Sequence, residues 1–472
     1  MRNKQTKIIC TLAENRCDPD FIKQLVENGM DVVRLNTAHL DIPVAAKIVA
    51  NIRSVSDRVG ILLDTKGPEV RTCNMTAPLQ LKTGDRIEIG VIHTPANGFQ
   101  VSYSGFAEEV AVGSHVLIDD GLIALSVMGK TRDTLICTAL NDGEIKNKKG
   151  VNVPGVKLDL PALTEKDAEF IDWATRNEVD FIAHSFVRCR EDVLAIQGIL
   201  DLRRSPIKII AKIENRAGVD HLESILDVAH GIMVARGDLG IEIPAEEVPG
   251  VQKRMIQTCI RRIKPVITAT QMLQSMVDNP RPTRAEVSDV ANAIYDGTDA
   301  IMLSGETAYG KFPIEAVQMM AKIAHTVESQ KESLLNTLPV FQQSSDLMPR
   351  NHLAKAAVSC AAALPVKAIV TSTSAGRTAR ICASYRGNIP ILALSEKMST
   401  VRQLSLSYGV YSSKIDMPPT TDELVKVCLL KMIEEKQITQ DDLIVFVGGG
   451  HQNEAQHTNM IQIETAAVLL KQ

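Results

Sequence analysis

Residues 209–240 read I-I-A-K-I-E-N-R-A-G-V-D-H-L-E-S-I-L-D-V-A-H-G-I-M-V-A-R-G-D-L-G. Two apolar runs, Ile209–Ile213 and Ile232–Ala235, flank a segment of helical spacing. The first run closes on Lys212 and Glu214, and the second on Arg236, Gly237 and Asp238. Apolar runs alternating with helix-period segments mean a parallel sheet covered by helices. Working outward, the same kind of run recurs at Lys7–Cys10, Val32–Leu35, Ile61–Leu63, Phe181–Ala183, Val266–Ala269 and Ala300–Leu303. Eight such runs are what a closed TIM-type (β/α)8 barrel needs.

Helix signals sit between them. Asp18 caps a helix with Pro19 at its first position and Gly29 at its end. Thr164 with Asp167, and Thr283 with Glu286, have the spacing of capping boxes. The alternation breaks twice. Residues 68–155 turn to β-type alternation with Gly turns, in runs at Leu79–Gly84, Arg86–Val91, His115–Asp119, Leu122–Val127 and Thr134–Leu140. We expect a small β-barrel domain inserted after the third barrel strand. A polar linker through Gln343 and Ser344 then leads to renewed strand–helix alternation, with strands at Ala368–Thr371, Ile391–Leu394, Val410–Ser412 and Leu443–Val447. The expected domains are therefore a barrel of residues 1–67 and 156–335, a β insert of residues 68–155, and an α/β domain of residues 345–472.

The chain has 472 residues, more than one core can organise at about 250–300 residues. Aromatics are only 3% and the net charge is −4, which argues against a nucleic-acid surface that needs stacking and positive charge. Nine scattered cysteines, with no C-x-x-C pair, suit neither a disulfide framework nor a zinc site. A reducing cytoplasm fits them. No apolar run spans a bilayer, and Met1–Cys10 lacks the pattern of a signal peptide.

In such a barrel the chemistry lies at the C-terminal ends of the strands. The residues ending the runs are Arg34 and Asn36; Asp64, Thr65 and Lys66; Ser185 with Arg188; Lys212 and Glu214; Arg236, Gly237 and Asp238; Thr270; and Ser304. Each alone is an ordinary polar residue at a strand end. Their concentration at one end is not explained by stability. Lys212 and Glu214 are two apart on a strand and share a face. Two carboxylates from adjacent strands suit a hard cation with oxygen ligands, and no His/Cys set suits zinc. A lysine beside them is repelled by that cation unless an anionic group lies between. That arrangement suits phosphoryl transfer.

These residues fall in motifs that resemble pyruvate kinase along nearly the whole chain. The runs are R-L-N at Arg34–Asn36, L-D-T-K-G-P-E-V-R at Leu63–Arg71, K-G-V-N-V-P-G at Lys149–Gly155 and K-I-E-N at Lys212–Asn215. They continue as I-M-V-A-R-G-D-L-G at Ile232–Gly240, A-T-Q-M-L at Ala269–Leu273, P-R-P-T-R-A-E at Pro280–Glu286 and M-L-S-G-E-T-A at Met302–Ala308. The resemblance implies transfer of a phosphoryl group from phosphoenolpyruvate to ADP, giving pyruvate and ATP. It implies that Lys212 steadies the transferring group and that Glu214 and Asp238 hold Mg2+ or Mn2+. Arg34 is then expected on the substrate phosphate. Gly237, Asp238 and Thr270 are expected at the carboxylate end, with Thr270 near the face where the enolate is protonated. Arg71, Lys149, Asn36 and His39 are expected on the nucleotide, under a closing β lid. A cytoplasmic homotetramer is also implied, with no nucleic-acid or membrane partner.

Two departures from the family pattern matter. After Arg34–Asn36 come Thr37, Ala38, His39 and Leu40, where the family has F-S-H-G. Ala38 lacks the hydroxyl that ligates potassium, while Asn36, Asp64 and Thr65 remain, as does Glu69, where family members independent of potassium tend to carry lysine. Weakened K+ binding is expected, with water replacing the hydroxyl. The first strand ends in Leu12-Ala13-Glu14-Asn15, not Gly-Pro, which reads as loop variation. In the last domain, Thr373, Ser374, Gly376, Arg377 and Thr378 suit a phosphate and equally a plain capped turn. The family places a sugar-phosphate effector there. Gly448–His457 contains no Lys or Arg, which disfavours a doubly phosphorylated effector and leaves a monophosphate, or none. The alternative functions are a magnesium-dependent phosphoenolpyruvate or pyruvate lyase, which needs no nucleotide lid, and a non-catalytic metabolite-sensing homologue.

Overall fold

The structure, a computed structural model, describes residues 4–331, 348–418, 420–449 and 458–471. The expected linker at Gln343 and Ser344, and most of Gly448–His457, lie outside them. Eight strands form a closed barrel: Lys7–Leu12, Val32–Asn36, Gly60–Asp64, Phe181–His184, Lys208–Ile213, Gly231–Ala235, Val266–Ala269 and Ala300–Leu303. All pairings are parallel, and the first strand closes the ring by pairing with both the second and the eighth. The strands are buried on both faces, which is why they read as continuous apolar runs. Inward residues such as Ile9, Leu62, Ile210, Met233 and Ile267 pack on one another, while Ile8, Val33 and Ile61 face the helices.

The helix signals act as expected. The Asp18 carboxylate accepts from Phe21 N at 2.9 Å, with Pro19 opening the helix Pro19–Glu27. Thr164 and Thr283 each close a reciprocal capping box, with Asp167 and Glu286.

Between the third and fourth barrel strands lies a seven-stranded sheet with its own core, including Ile89, Phe99, Phe106 and Leu125. Its edge strands, Thr72–Cys73 and Val151–Asn152, meet at the neck. Thr72 N donates to Lys149 O at 2.8 Å and Lys148 N to Thr72 O at 2.9 Å. The sheet so joins its own edges, leaving less open edge to pair with other chains. The C-terminal sheet runs in the order Val410–Lys414, Ile391–Ser395, Ala368–Ser372, Leu443–Gly448, Met460–Thr465. Its last strand is antiparallel and was not expected from the sequence.

The C-terminal domain closes the base of the barrel. Leu406 enters the apolar column inside it. Arg386 pairs with Asp299 at 2.7 Å, and Asp180 takes Arg402 at 2.7 Å and Arg53 at 3.1 Å. Among the described residues the C-terminal domain thus covers the base, and a cleft lies on the side of the inserted sheet.

Candidate functional site

Because all eight strands run the same way, their C-terminal residues gather at one mouth. Asp64 lies almost fully buried there and accepts from Arg34 Nε at 2.6 Å. Lys212 Nζ lies 3.1 Å from Asp64 Oδ1, 3.0 Å from Glu214 Oε1 and 2.7 Å from Ser185 Oγ. Burial disfavours the charge on Lys212, but Asp64 and Glu214 outweigh it and hold the amine above its ordinary value. Burial likewise pushes the Asp64 carboxyl up, and Lys212 with Arg34 outweighs that and holds it low.

Glu214 fares differently. Burial pushes its carboxyl up to about 7, with Lys212 opposing and Asp238 adding to the rise. Asp238 is raised too, by burial first, against the pull of Lys212, with Glu69 and Asp120 adding repulsion. One lysine serves two carboxylates, and Asp64 has Arg34 besides, so Glu214 is left short of positive charge. Its Oε2 accepts from Phe186 N at 2.6 Å, while Oε1 is buried and, among the described residues, accepts no aligned hydrogen bond. Two carboxylates raised by burial, with one lysine between them, fit a hard divalent cation. No group of three or more His, Cys, Asp and Glu able to hold a metal exists among the described residues.

Thr270 sits at φ +68, a costly conformation for a β-branched residue and one that clusters at functional sites. Its Oγ accepts from Gly237 N at 2.8 Å and donates to Ala269 O at 2.6 Å. The Gly237 amide, expected to face a ligand, is thus paired with Thr270. Arg236 points elsewhere, to Asp289 Oδ1 and Thr270 O, both at 2.6 Å.

A cleft of about 680 Å³ separates the inserted sheet from the barrel mouth, with Arg71, Lys149, Arg188 and Asp238 in its walls. Arg71 and Lys149 are paired locally. Lys149 meets Asp119 at 2.9 Å, while Arg71 meets Glu69 and donates to Lys148 O at 2.8 Å. Asn152 Nδ2 reaches Glu242 Oε1 across the cleft at 3.2 Å. Asn36 and His39 do not line it, and His39 is exposed.

Asn36 and Asp64 are cross-strand partners, and Thr65 follows directly. Asn36 Oδ1 accepts from Ala38 N at 3.1 Å, and Thr65 Oγ accepts from Ser185 N at 3.0 Å. In the C-terminal loop, Thr373 Oγ accepts from Gly376 N at 2.9 Å, and Thr378 shares a hydrogen bond with Thr458 at 2.7 Å. Ser374 O accepts from Thr400 Oγ at 2.8 Å. Gly376, at φ +74, opens the helix Arg377–Ser384 without a side-chain cap. The sequence reading missed the contacts of Ser185, the Phe186 amide on Glu214, and the counter-charges Glu69 and Asp119. Ser185 carried a signal as a polar strand end, and Glu69 as part of the L-D-T-K-G-P-E-V-R run, though not as a counter-charge.

Among the described residues no helix is long and apolar enough to cross a membrane. Residues 3–317 match the family model "Pyruvate kinase, barrel domain", and residues 351–464 match "Pyruvate kinase, alpha/beta domain". The chain is 48% identical to a pyruvate kinase of Borreliella burgdorferi over 477 residues, covering 100% of this chain and 99% of that one. It is 45% identical to a pyruvate kinase of Geobacillus stearothermophilus, covering 99% of this chain and 81% of the relative. A pyruvate kinase of Staphylococcus aureus is 44% identical, with 98% and 80% covered.

Proposed function

The chain belongs to the pyruvate kinase family, and on that premise we propose how its residues divide the reaction. It is a phosphotransferase that moves the phosphoryl group of phosphoenolpyruvate to ADP, giving pyruvate and ATP in the last step of glycolysis. Neither a lyase nor a non-catalytic homologue accords with full-length relatives named for the kinase. The family generally uses Mg2+ and K+.

In our reading residues 1–67 and 156–335 form the catalytic barrel, 68–155 the lid, and 345–472 the effector and interface domain. Glu214 and Asp238 hold Mg2+ or Mn2+, which when bound neutralises charge on the phosphoryl oxygens. Lys212 donates to the transferring group, and Arg34 holds the substrate phosphate from the neighbouring strand. Gly237, Asp238 and Thr270 orient the carboxylate end, and Thr270 lies by the face of the enolate that receives a proton. Arg71 and Lys149, with Asn36 and His39, take the nucleotide, Arg71 and Lys149 exchanging their present carboxylate partners for phosphates. The lid excludes water and so suppresses hydrolysis. The reaction needs positioning and charge neutralisation more than a strong nucleophile, and these groups supply both. The enzyme works as a cytoplasmic homotetramer.

The observation that carries this reading is Lys212 Nζ set 3.0 Å from the under-satisfied Glu214 at the mouth of the barrel. A coupled assay with phosphoenolpyruvate and ADP tests it, with activity expected only when Mg2+ or Mn2+ is present. Activity independent of any divalent cation overturns the roles of Glu214 and Asp238. Asn36, Asp64 and Thr65 bind K+ weakly beside Ala38, so omitting K+ lowers the rate and high K+ restores it. Full activity without K+ removes that site. For Thr373, Ser374, Gly376, Arg377 and Thr378 we propose a sugar monophosphate as effector, and a hyperbolic enzyme that ignores sugar phosphates refutes it.

A further inference from the structure

Ser185 follows the fourth barrel strand, and its hydroxyl is engaged on both sides. Its Oγ lies 2.6 Å from Thr65 O and 2.7 Å from Lys212 Nζ. A hydroxyl carries one proton, and the Thr65 carbonyl can only accept. Asp64 Oδ1, at 3.3 Å, is a second and longer acceptor, so Ser185 donates to the nearer Thr65 O, and Lys212 donates to Ser185. The ammonium of Lys212 has three protons, and Ser185, Asp64 and Glu214 all lie within 3.1 Å of it. Ser185 and Asp64 are two fixed acceptors for Lys212. Were Glu214 to hold a divalent cation, its share of the ammonium would be free, and that N–H could meet the transferring group.

The hydroxyl is also tied to the strand that enters the lid. Gly67, at φ +72, passes so close that a Cβ there would lie 2.7 Å from Ser185 Cβ. The Lys66 and Gly67 amides donate to Asp167 at 2.9 and 3.2 Å, which pins the same stretch to the helix Glu165–Ala174. Phe186, at φ +57, turns its amide onto Glu214 directly after Ser185. One short turn thus holds both Lys212 and Glu214 from beneath the lid's entry.

We propose that Ser185 is a positioning residue for Lys212, aiming its amine and linking that aim to Thr65–Gly67 where the chain enters the lid. The inference rests on the reading of Lys212 as the group that steadies the phosphoryl oxygens. The test uses the full chain with phosphoenolpyruvate, ADP, Mg2+ and K+. Misplacement of such a group is expected to lower kcat of Ser185→Ala about 10- to 100-fold. KM for both substrates should stay within about twofold, since only transition-state contacts are weakened. Ser185→Thr keeps the hydroxyl and should recover most of the lost kcat. If the alanine variant does not fold, Ser185→Cys, which is similar in size and a poor acceptor, replaces it in the same comparison. An unchanged kcat overturns the proposal, as does a loss that threonine does not recover, or one confined to KM. Lys212→Met separates the two levels. If it is inactive while Ser185→Ala is unimpaired, only this inference fails. If Lys212→Met is fully active, the reading beneath it fails as well.

Discussion

The two ends of the barrel both bury charge, and they treat it in opposite ways. At the base the buried carboxylates have hydrogen-bonded partners within the chain, although burial still raises Asp180 above its ordinary value. Arg386, 2% exposed, pairs with Asp299 and donates to Gly297 O and Ala383 O. Asp299 in turn also accepts from Val266 N and Tyr408 N. Asp180 is held by Arg53, Arg402 and the Ile61 amide. At the mouth, Glu214 and Asp238 share one lysine with Asp64, and Glu214 Oε1 accepts no aligned hydrogen bond among the described residues. Burying a charge costs several kcal/mol unless partners repay it. At the base the paired charges hold domains together, whereas the carboxylates left short at the mouth are open to a ligand.

The most forceful way to break this comparison is at the base. Arg386→Met strands the Asp299 carboxylate between two domains. Breaking a buried pair from one side costs about 3–5 kcal/mol. Urea unfolding should show that loss, while the protein that remains folded keeps kcat within about twofold, since the change lies far from the mouth. A loss below about 1 kcal/mol would mean that the base pair is no more than an exposed one.

The next effect should fall on rate and spare the fold. Lys212→Met removes a donor aimed at developing charge, worth about 10²- to 10³-fold in kcat. Its unfolding midpoint should drop far less than that of Arg386→Met. Glu214, already pushed up to about 7, can take a proton when its cation is gone, and Asp64 keeps Arg34. A variant that unfolds as readily as Arg386→Met would erase the distinction between the two ends.

That distinction was half legible in the sequence. The eight barrel strands were readable because strands buried on both faces leave unbroken apolar runs. Lys212, Glu214 and Asp238 were readable because a parallel barrel brings all its strand ends together. Arg386 and Asp299 were not, since they lie 87 residues apart and no local pattern marks either. The short strands Thr72–Cys73, Gly143–Ile145 and Val151–Asn152 of the inserted region escaped for the same reason. Strands of two or three residues owe their form to partners far along the chain, as Thr72 does to Lys149. Met460–Thr465 is half-buried on both faces, so its M-I-Q-I-E-T carries little contrast between inside and out. Ser185 was seen as a polar strand end, but its partners come from the end of the third strand, Asp64 and Thr65, and from Lys212 on the fifth.

The smallest effect sharpens the comparison from within the base, at a charge the chain satisfies poorly. Lys331 Nζ is buried, donates to Ile294 O at 2.7 Å and stands over the Tyr408 ring that also carries Arg386. Burial lowers its amine to about 7, and Arg386 adds to this against Glu328, Asp296 and Asp299. The unfolded chain holds that proton up to the ordinary value of 10.5. Between about 7 and 10.5 the unfolded state binds the proton and the native state does not, so native stability rises with pH across that window. Below about 7 the penalty is present in full. Lys331→Met removes it without orphaning Ile294 O, which also accepts from Gly297 N at 3.0 Å. The variant should therefore melt a few degrees above the parent at pH 6, and the gap should close as the pH approaches 10. A gap that is constant with pH would assign the gain to packing alone, and the ammonium of Lys331 would then be as well satisfied as Arg386.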